Sequence, residues 1–100
     1  MFFEPSKNNP LQPNFLNALV FPRPIGWIST LSKKGVANLA PYSFFNAIAY
    51  EPPQVMFAAT ANHNQGGFKD TVANILETKE FVVNLAIKKL KNKVNQSSID

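Results

Sequence analysis

Residues 23–46, RPIGWISTLSKKGVANLAPYSFFN, constrain the fold more than any other part of the chain. Pro22 and Pro24 impose extended backbone at its start, because each ring locks φ and disfavours the α region in the residue before it. Residues 25–31 then alternate loosely, carry β-branched Ile28 and Thr30, and read as a strand. Ser32-Lys33-Lys34-Gly35 reads as a hairpin turn, with Gly35 where a positive φ is expected. Residues 36–40 return as the partner strand. Pro41 has no N–H to give a ladder, so a strand edge or bulge is expected there. The segment closes on Ser43-Phe44-Phe45-Asn46, whose hydroxyl, aromatic and amide groups suit a flat ring with a polar edge.

The remainder supplies more strands than helices. Residues 1–14 hold Pro5, Pro10 and Pro13 among several Asn and read as an irregular arm. Residues 15–21 fit either a short helical turn or a strand. Residues 44–50 and 54–61 read as third and fourth strands around Glu51-Pro52-Pro53, the fourth apolar enough for burial on both faces. Residues 62–67 form a polar loop. Residues 69–79 are the clearest helix: Phe68, Val72, Ile75 and Leu76 fall on one stripe, and Asp70 is expected as N-cap. Residues 80–87 read as an apolar strand, and residues 88–97 as a second helix with a basic face. The expected fold is mainly β with minor α, a meander curling into a barrel.

Composition removes several functional classes. Without cysteine, thiolate metal sites and a cysteine nucleophile are excluded, and the single His63 cannot build a multi-histidine centre. It is expected to be exposed, whereas Trp27 is expected in the core or an interface. No apolar run reaches the ~20 residues of a membrane span, and the N-terminus lacks the features of a signal peptide, so no membrane role and a cytoplasmic location are expected. The net charge is +4, and Lys88, Lys89, Lys91 and Lys93 account for all of it. The remaining residues are neutral in sum, which argues against a nucleic-acid partner. No nucleophile elbow, carboxylate pair or phosphate-binding glycine loop is present.

Two features could carry chemistry. The helix start at Lys69-Asp70-Thr71 offers free backbone N–H groups, a cation and a hydroxyl, which suit a phosphate; it could equally be an ordinary capped terminus. Ser29-Thr30 and residues 43–46 could bond a ring edge, or could be core aromatics with polar groups serving the backbone.

At these residues the chain resembles the flavin reductase-like, FMN-binding split-barrel family. The matching pieces are RPIGWIST, GVANLAPYSFFN, EPPQVMF, KDTVANI and EFVVNLA, in the family's order and spacing over residues ~20–87. The resemblance implies a Greek-key-like split β-barrel, with residues 1–100 as one domain truncated at its C-terminus, since family members are longer. It implies that Ser29 and Thr30 lie near the phosphate and ribityl chain. Ser43, Phe44, Phe45 and Asn46 would line the isoalloxazine edge, and Lys69 and Thr71 would hold the phosphate, with a loop from Asn62 over it. FMN is implied rather than FAD, with NAD(P)H as co-substrate, a homodimer, and in some cases an electron-acceptor protein. The function expected is electron transfer from NAD(P)H through bound flavin. The alternative is a dimerising domain without oxidoreductase activity. No side chain need act as acid or base, because the flavin would carry the chemistry.

Overall fold

The computed structural model describes Glu4, residues 15–60 and residues 66–99. Residues 1–14 except Glu4, expected as an arm, and residues 61–65 with Asn62 and His63, expected as a loop, lie outside them. The chain runs α1 (Phe15–Leu19), β1 (Gly26–Leu31), β2 (Ala37–Tyr42), β3 (Phe45–Tyr50), β4 (Pro53–Phe57), α2 (Asp70–Thr78), β5 (Val82–Asn84) and α3 (Lys91–Gln96), the last preceded by a 3-10 turn at Lys88–Leu90. It is mainly β with few helices, and its sheets are open.

The first hairpin forms as its turn chemistry dictates. Gly35 takes φ 79°. Its N–H donates to the Ser32 carbonyl at 2.9 Å, and the Val36 N–H donates to the Ser32 hydroxyl at 3.1 Å. β1 and β2 pair antiparallel from Gly26 with Tyr42 to Leu31 with Ala37. β2 runs through Pro41 to Tyr42 instead of stopping at Ala40. It tolerates the proline because it is an edge strand: the sheet order is β2-β1-β5.

Three expectations give way here. The strands do not form one meander. β5 returns to the far side of β1, pairing Trp27 with Asn84 and Ser29 with Val82, while β3 and β4 form a separate two-stranded ribbon. β4 is not buried on both faces: Val55 and Met56 are exposed, because a two-stranded ribbon leaves its faces uncovered by the described residues. The apolar stretch over residues 80–87 yields a strand of only three residues, with Val82 and Val83 exposed on a sheet edge.

The core is small and centres on β1. Ile28 is fully buried, and Trp27 and Tyr42 nearly so. One face of the sheet, through Ile28, Thr30 and Asn38, carries α2. The opposite face, through Trp27, Ser29 and Asn84, meets the end of α3, where the Trp27 indole N–H donates to the Ser97 hydroxyl at 2.9 Å. The ribbon docks through aromatics: Tyr42 against Phe57 at 4.9 Å between ring centroids, and Phe57 edge-on to Phe81 at 5.3 Å. Gly26 lies under Phe45, where a Cβ would stand 2.6 Å from the ring.

α2 departs from its apolar-stripe expectation. Its buried residues are Thr71 and Asn74, whereas Phe68 and Leu76 are exposed. The Asn74 amide donates to Thr30 Oγ1 at 3.0 Å, and the Asn38 amide to Thr71 Oγ1 at 2.8 Å. Helix and sheet therefore meet through polar groups that satisfy one another, as buried polar atoms must. Asp70 is not the N-cap; Lys69 holds that position without a side-chain cap bond, and Asp70 is the first helical residue. The helix ends at Lys79, in the left-handed conformation at φ 62°, with its N–H donating to the Ile75 carbonyl.

Candidate functional site

A cavity of about 450 Å³ runs along the free edge of β2, between the start of α2 and the end of α3. Consecutive residues 38–42 of β2 line it. Ser43 and Phe44 continue that wall, Lys69, Asp70 and Thr71 close one side, and Ser97 and Ser98 close another. Asn17 and Arg23 reach it from the segment before β1. Its volume falls within the range of small-molecule sites, ~300–1,000 Å³.

Four of the residues expected from sequence come together here: Ser43, Phe44, Lys69 and Thr71. Ser29, Thr30, Phe45 and Asn46 do not line the cavity. Ser29 Oγ accepts from the Asn84 amide at 3.0 Å, and Thr30 Oγ1 is the buried acceptor for Asn74. Phe45 covers Gly26, and the Asn46 side chain accepts from the Ala47 N–H at 2.8 Å. Thr30 ties β1 to α2, Ser29 meets Asn84 and Phe45 packs over Gly26 of β1, whereas Asn46 is exposed.

Arg23 was not singled out from sequence, yet it is a principal charge of the site. Its Nη1 donates to the Val20 carbonyl at 2.7 Å and the Asn17 carbonyl at 3.3 Å, and its guanidinium lies 5.3 Å from the centroid of Phe44. Its Nε is buried with no hydrogen-bond partner among the described residues. A cation between two prolines is the signal that could have pointed to it, since both rings stiffen the backbone that carries it. Asn38, Ser97 and Ser98 have no such local signal; the fold alone brings them to the cavity.

The donor set fits an anionic ligand with a flat ring. Arg23 and Lys69 supply positive charge against the single carboxylate of Asp70. Ser43, Thr60 and Thr71 supply hydroxyls, the Ser98 hydroxyl already donates to the Asn95 carbonyl at 2.6 Å, and Tyr42 and Phe44 supply aromatic surface. Thr71 Oγ1 already accepts from Asn38, so its own O–H remains available as a donor. The Arg23 Nε lacks an acceptor among the described residues, as expected of a site completed by a ligand. Among the described residues no group of His, Cys, Asp and Glu could hold a metal ion, and no helix is long and apolar enough to cross a membrane.

A mainly β frame with a cationic, aromatic-walled cleft is the form of a cofactor-binding domain. The family model for a flavin reductase like domain matches residues 18–99, and the chain belongs to that family. An uncharacterised protein of Aquifex aeolicus is 57% identical over 67 residues, 67% of this chain and 34% of that protein. The uncharacterised protein YwrF of Bacillus subtilis is 36% identical over 83 residues, 83% of this chain and 40% of that protein. Among solved structures, nitrilotriacetate monooxygenase component B from Bacillus cereus superposes with TM-score 0.78 at 29% identity, covering 98% of this chain and 48% of that one. The 2-nitrobenzoate 2-nitroreductase NbaA of Pseudomonas fluorescens superposes with TM-score 0.79 at 30% identity, covering 100% of this chain and 48% of that one. The chain thus spans about a third to a half of the length of these relatives.

Proposed function

We propose that this chain is the flavin-cradling part of an FMN-dependent oxidoreductase that takes electrons from NAD(P)H and passes them to an acceptor. One observation carries the proposal: segments far apart in sequence, residues 23, 43–44 and 69–71, converge on one cavity with two cations, hydroxyls and aromatic surface. Lys69 and Thr71, at the amino end of α2, are assigned to the phosphate, where the helix dipole adds to their charge. Asn62, outside the described residues, is assigned to the cofactor with them. Ser43 and Phe44 are assigned to the ring, with Phe45 packed on Gly26 and Asn46 beside it at the start of β3. Ser29 and Thr30 act by anchoring the sheet to Asn84 and α2. A flavin, when bound, supplies the redox chemistry; the chain's own residues bind, orient and shield it. FMN is favoured over FAD because the assigned cation and helix end suit a terminal phosphate. Two structural neighbours are by name a monooxygenase component and a nitroreductase, which agrees with an electron-transferring parent protein.

The split barrel is part of this proposal. The open edges of β2 and β5 and the uncovered ribbon would be closed by further strands of the fold and by a second subunit in a homodimer. Exposed Leu19, Phe21, Ile48, Tyr50 and Leu85 give such an interface its apolar material. A cytoplasmic setting, with a small-molecule or protein acceptor, completes the proposal. The same exposed apolar surface favours one alternative, a dimerising domain that binds no flavin.

Titration with FMN, followed by flavin fluorescence, separates the two. Saturable quenching is expected, and unchanged fluorescence would leave the dimerising domain. Lys69→Ala is expected to weaken FMN by ~10–100-fold, the value of a charge-assisted hydrogen bond, and riboflavin little. Equal losses for both would remove the phosphate assignment.

A further inference from the structure

A second cavity of about 460 Å³ lies beside the first. Its walls are apolar: Ile25 and Pro41 from the hairpin, Ala86 and Ile87 after β5, and Val94 from α3. Lys88 and Lys91 stand at its rim, and no acidic residue lines it. It shares Pro41, Ser43 and Ser98 with the first cavity.

The rim lysines belong to the four that carry the chain's entire net charge, which the flavin site does not use. Their spacing explains the arrangement. Lys88 and Lys91 are three residues apart, and Val94 and Asn95 follow at three and four more, so one side of this helical segment presents two cations, then apolar Val94 beside the Asn95 amide. Lys89 and Lys93 fall outside the lining. An apolar slot with cations on one rim and no carboxylate to neutralise them complements a molecule with an apolar body and a negatively charged end.

We propose that this slot is a binding site for a small amphipathic organic anion, an aromatic or branched aliphatic carboxylate. Its body would lie against Ile25, Ile87 and Val94, and its carboxylate would meet Lys88 and Lys91. Ser43 and Ser98 line both cavities. A ligand here sits next to whatever fills that cavity; its binding does not rest on the flavin assignment, although a role in electron transfer would.

The chain carries its own reporter. Trp27 is its single tryptophan, and the indole is bonded to Ser97, next to Ser98 of the slot. Benzoate serves as the probe and benzyl alcohol as its uncharged counterpart, followed by Trp27 fluorescence and by NMR shifts of the Ile87 and Val94 methyls. Benzoate is expected to bind saturably and more tightly than benzyl alcohol. Lys88→Gln and Lys91→Gln are each expected to weaken benzoate ~2–5-fold, the range of exposed ion pairs, without changing benzyl alcohol. Ala86→Leu fills the slot and is expected to abolish both, with circular dichroism unchanged. Absence of saturable benzoate binding overturns the inference, as does binding that ignores charge and both lysines. Sedimentation provides a further check. If Ala86→Leu converts a dimer to monomer, the slot is a contact between copies, and the ligand site is refuted. FMN binding is measured separately, so a chain that takes benzoate but not FMN keeps this inference and loses the flavin proposal.

Discussion

Gly26 of β1 lies directly under the Phe45 ring of β3, and replacing it tests that packing directly. A Cβ at this position would stand 2.6 Å from Phe45 Cδ2 and 2.8 Å from Cγ. Restoring an ordinary carbon–carbon separation near 3.5 Å requires the ring to move by about 0.9 Å. Cγ is held close to the backbone, so the ring cannot escape by rotation alone and the start of β3 must shift. Overpacking of this kind costs about 1–3 kcal/mol. For a domain of this size each kcal/mol lowers Tm by ~4–8 °C, so a cost near 2 kcal/mol predicts a drop of roughly 8–16 °C. The assay is thermal unfolding by circular dichroism of Gly26→Ala, Phe45→Ala and the double variant. In the Phe45→Ala background the glycine substitution is expected to be nearly neutral, giving a coupling energy of about 1–3 kcal/mol. Equal destabilisation in both backgrounds would show that the ring contact is not the cause. Phe44 lines the cavity beside Phe45, so Gly26→Ala is also expected to weaken ligand binding without touching the ligand.

Two further substitutions probe α2, beside the Lys69→Ala comparison of FMN with riboflavin. Asn74→Ala removes the donor to buried Thr30 and is expected to cost about 1–3 kcal/mol in denaturant unfolding; Asn74→Leu with Thr30→Val should recover part of the loss by removing both polar partners. Lys79→Gly relieves a left-handed residue, a strain of about 1–2 kcal/mol, and returns about 0.5–1 kcal/mol of chain entropy, so a net gain of about 0.5–1 kcal/mol is expected in the same assay.

Local chemistry made part of this molecule readable. The β1–β2 hairpin was legible because Gly35 can take a positive φ and because the flanking residues alternate. Lys69, Thr71, Ser43 and Phe44 were legible because each lies in a short segment whose residue types suggest a ligand. Asn38, Ser97 and Ser98 were not, since ordinary polar residues become a site only when the chain folds them against a cleft. Arg23 was hidden within a segment read for its strand character. The apolar stripe on α2 misled because periodicity says which residues share a face, not which face is covered. Thr71 and Asn74 won the inward position through specific hydrogen bonds to Asn38 and Thr30. The fourth strand was misjudged for a related reason. Its apolar residues are suited to burial, but among the described residues Phe57 finds aromatic partners while Val55 and Met56 stay exposed.

The polar seam between α2 and the sheet has a consequence for alignment. An apolar helix face can slide along a sheet at little cost, because one methyl group substitutes for another. Here a slip of one turn would separate Asn74 from Thr30 and Thr71 from Asn38 at once, stranding buried donors and acceptors at ~1–3 kcal/mol each. The helix is therefore indexed to β1 and β2 at a single setting. Its first turn, with Lys69 and Thr71, inherits that setting and meets the cavity at a fixed height along the β2 edge.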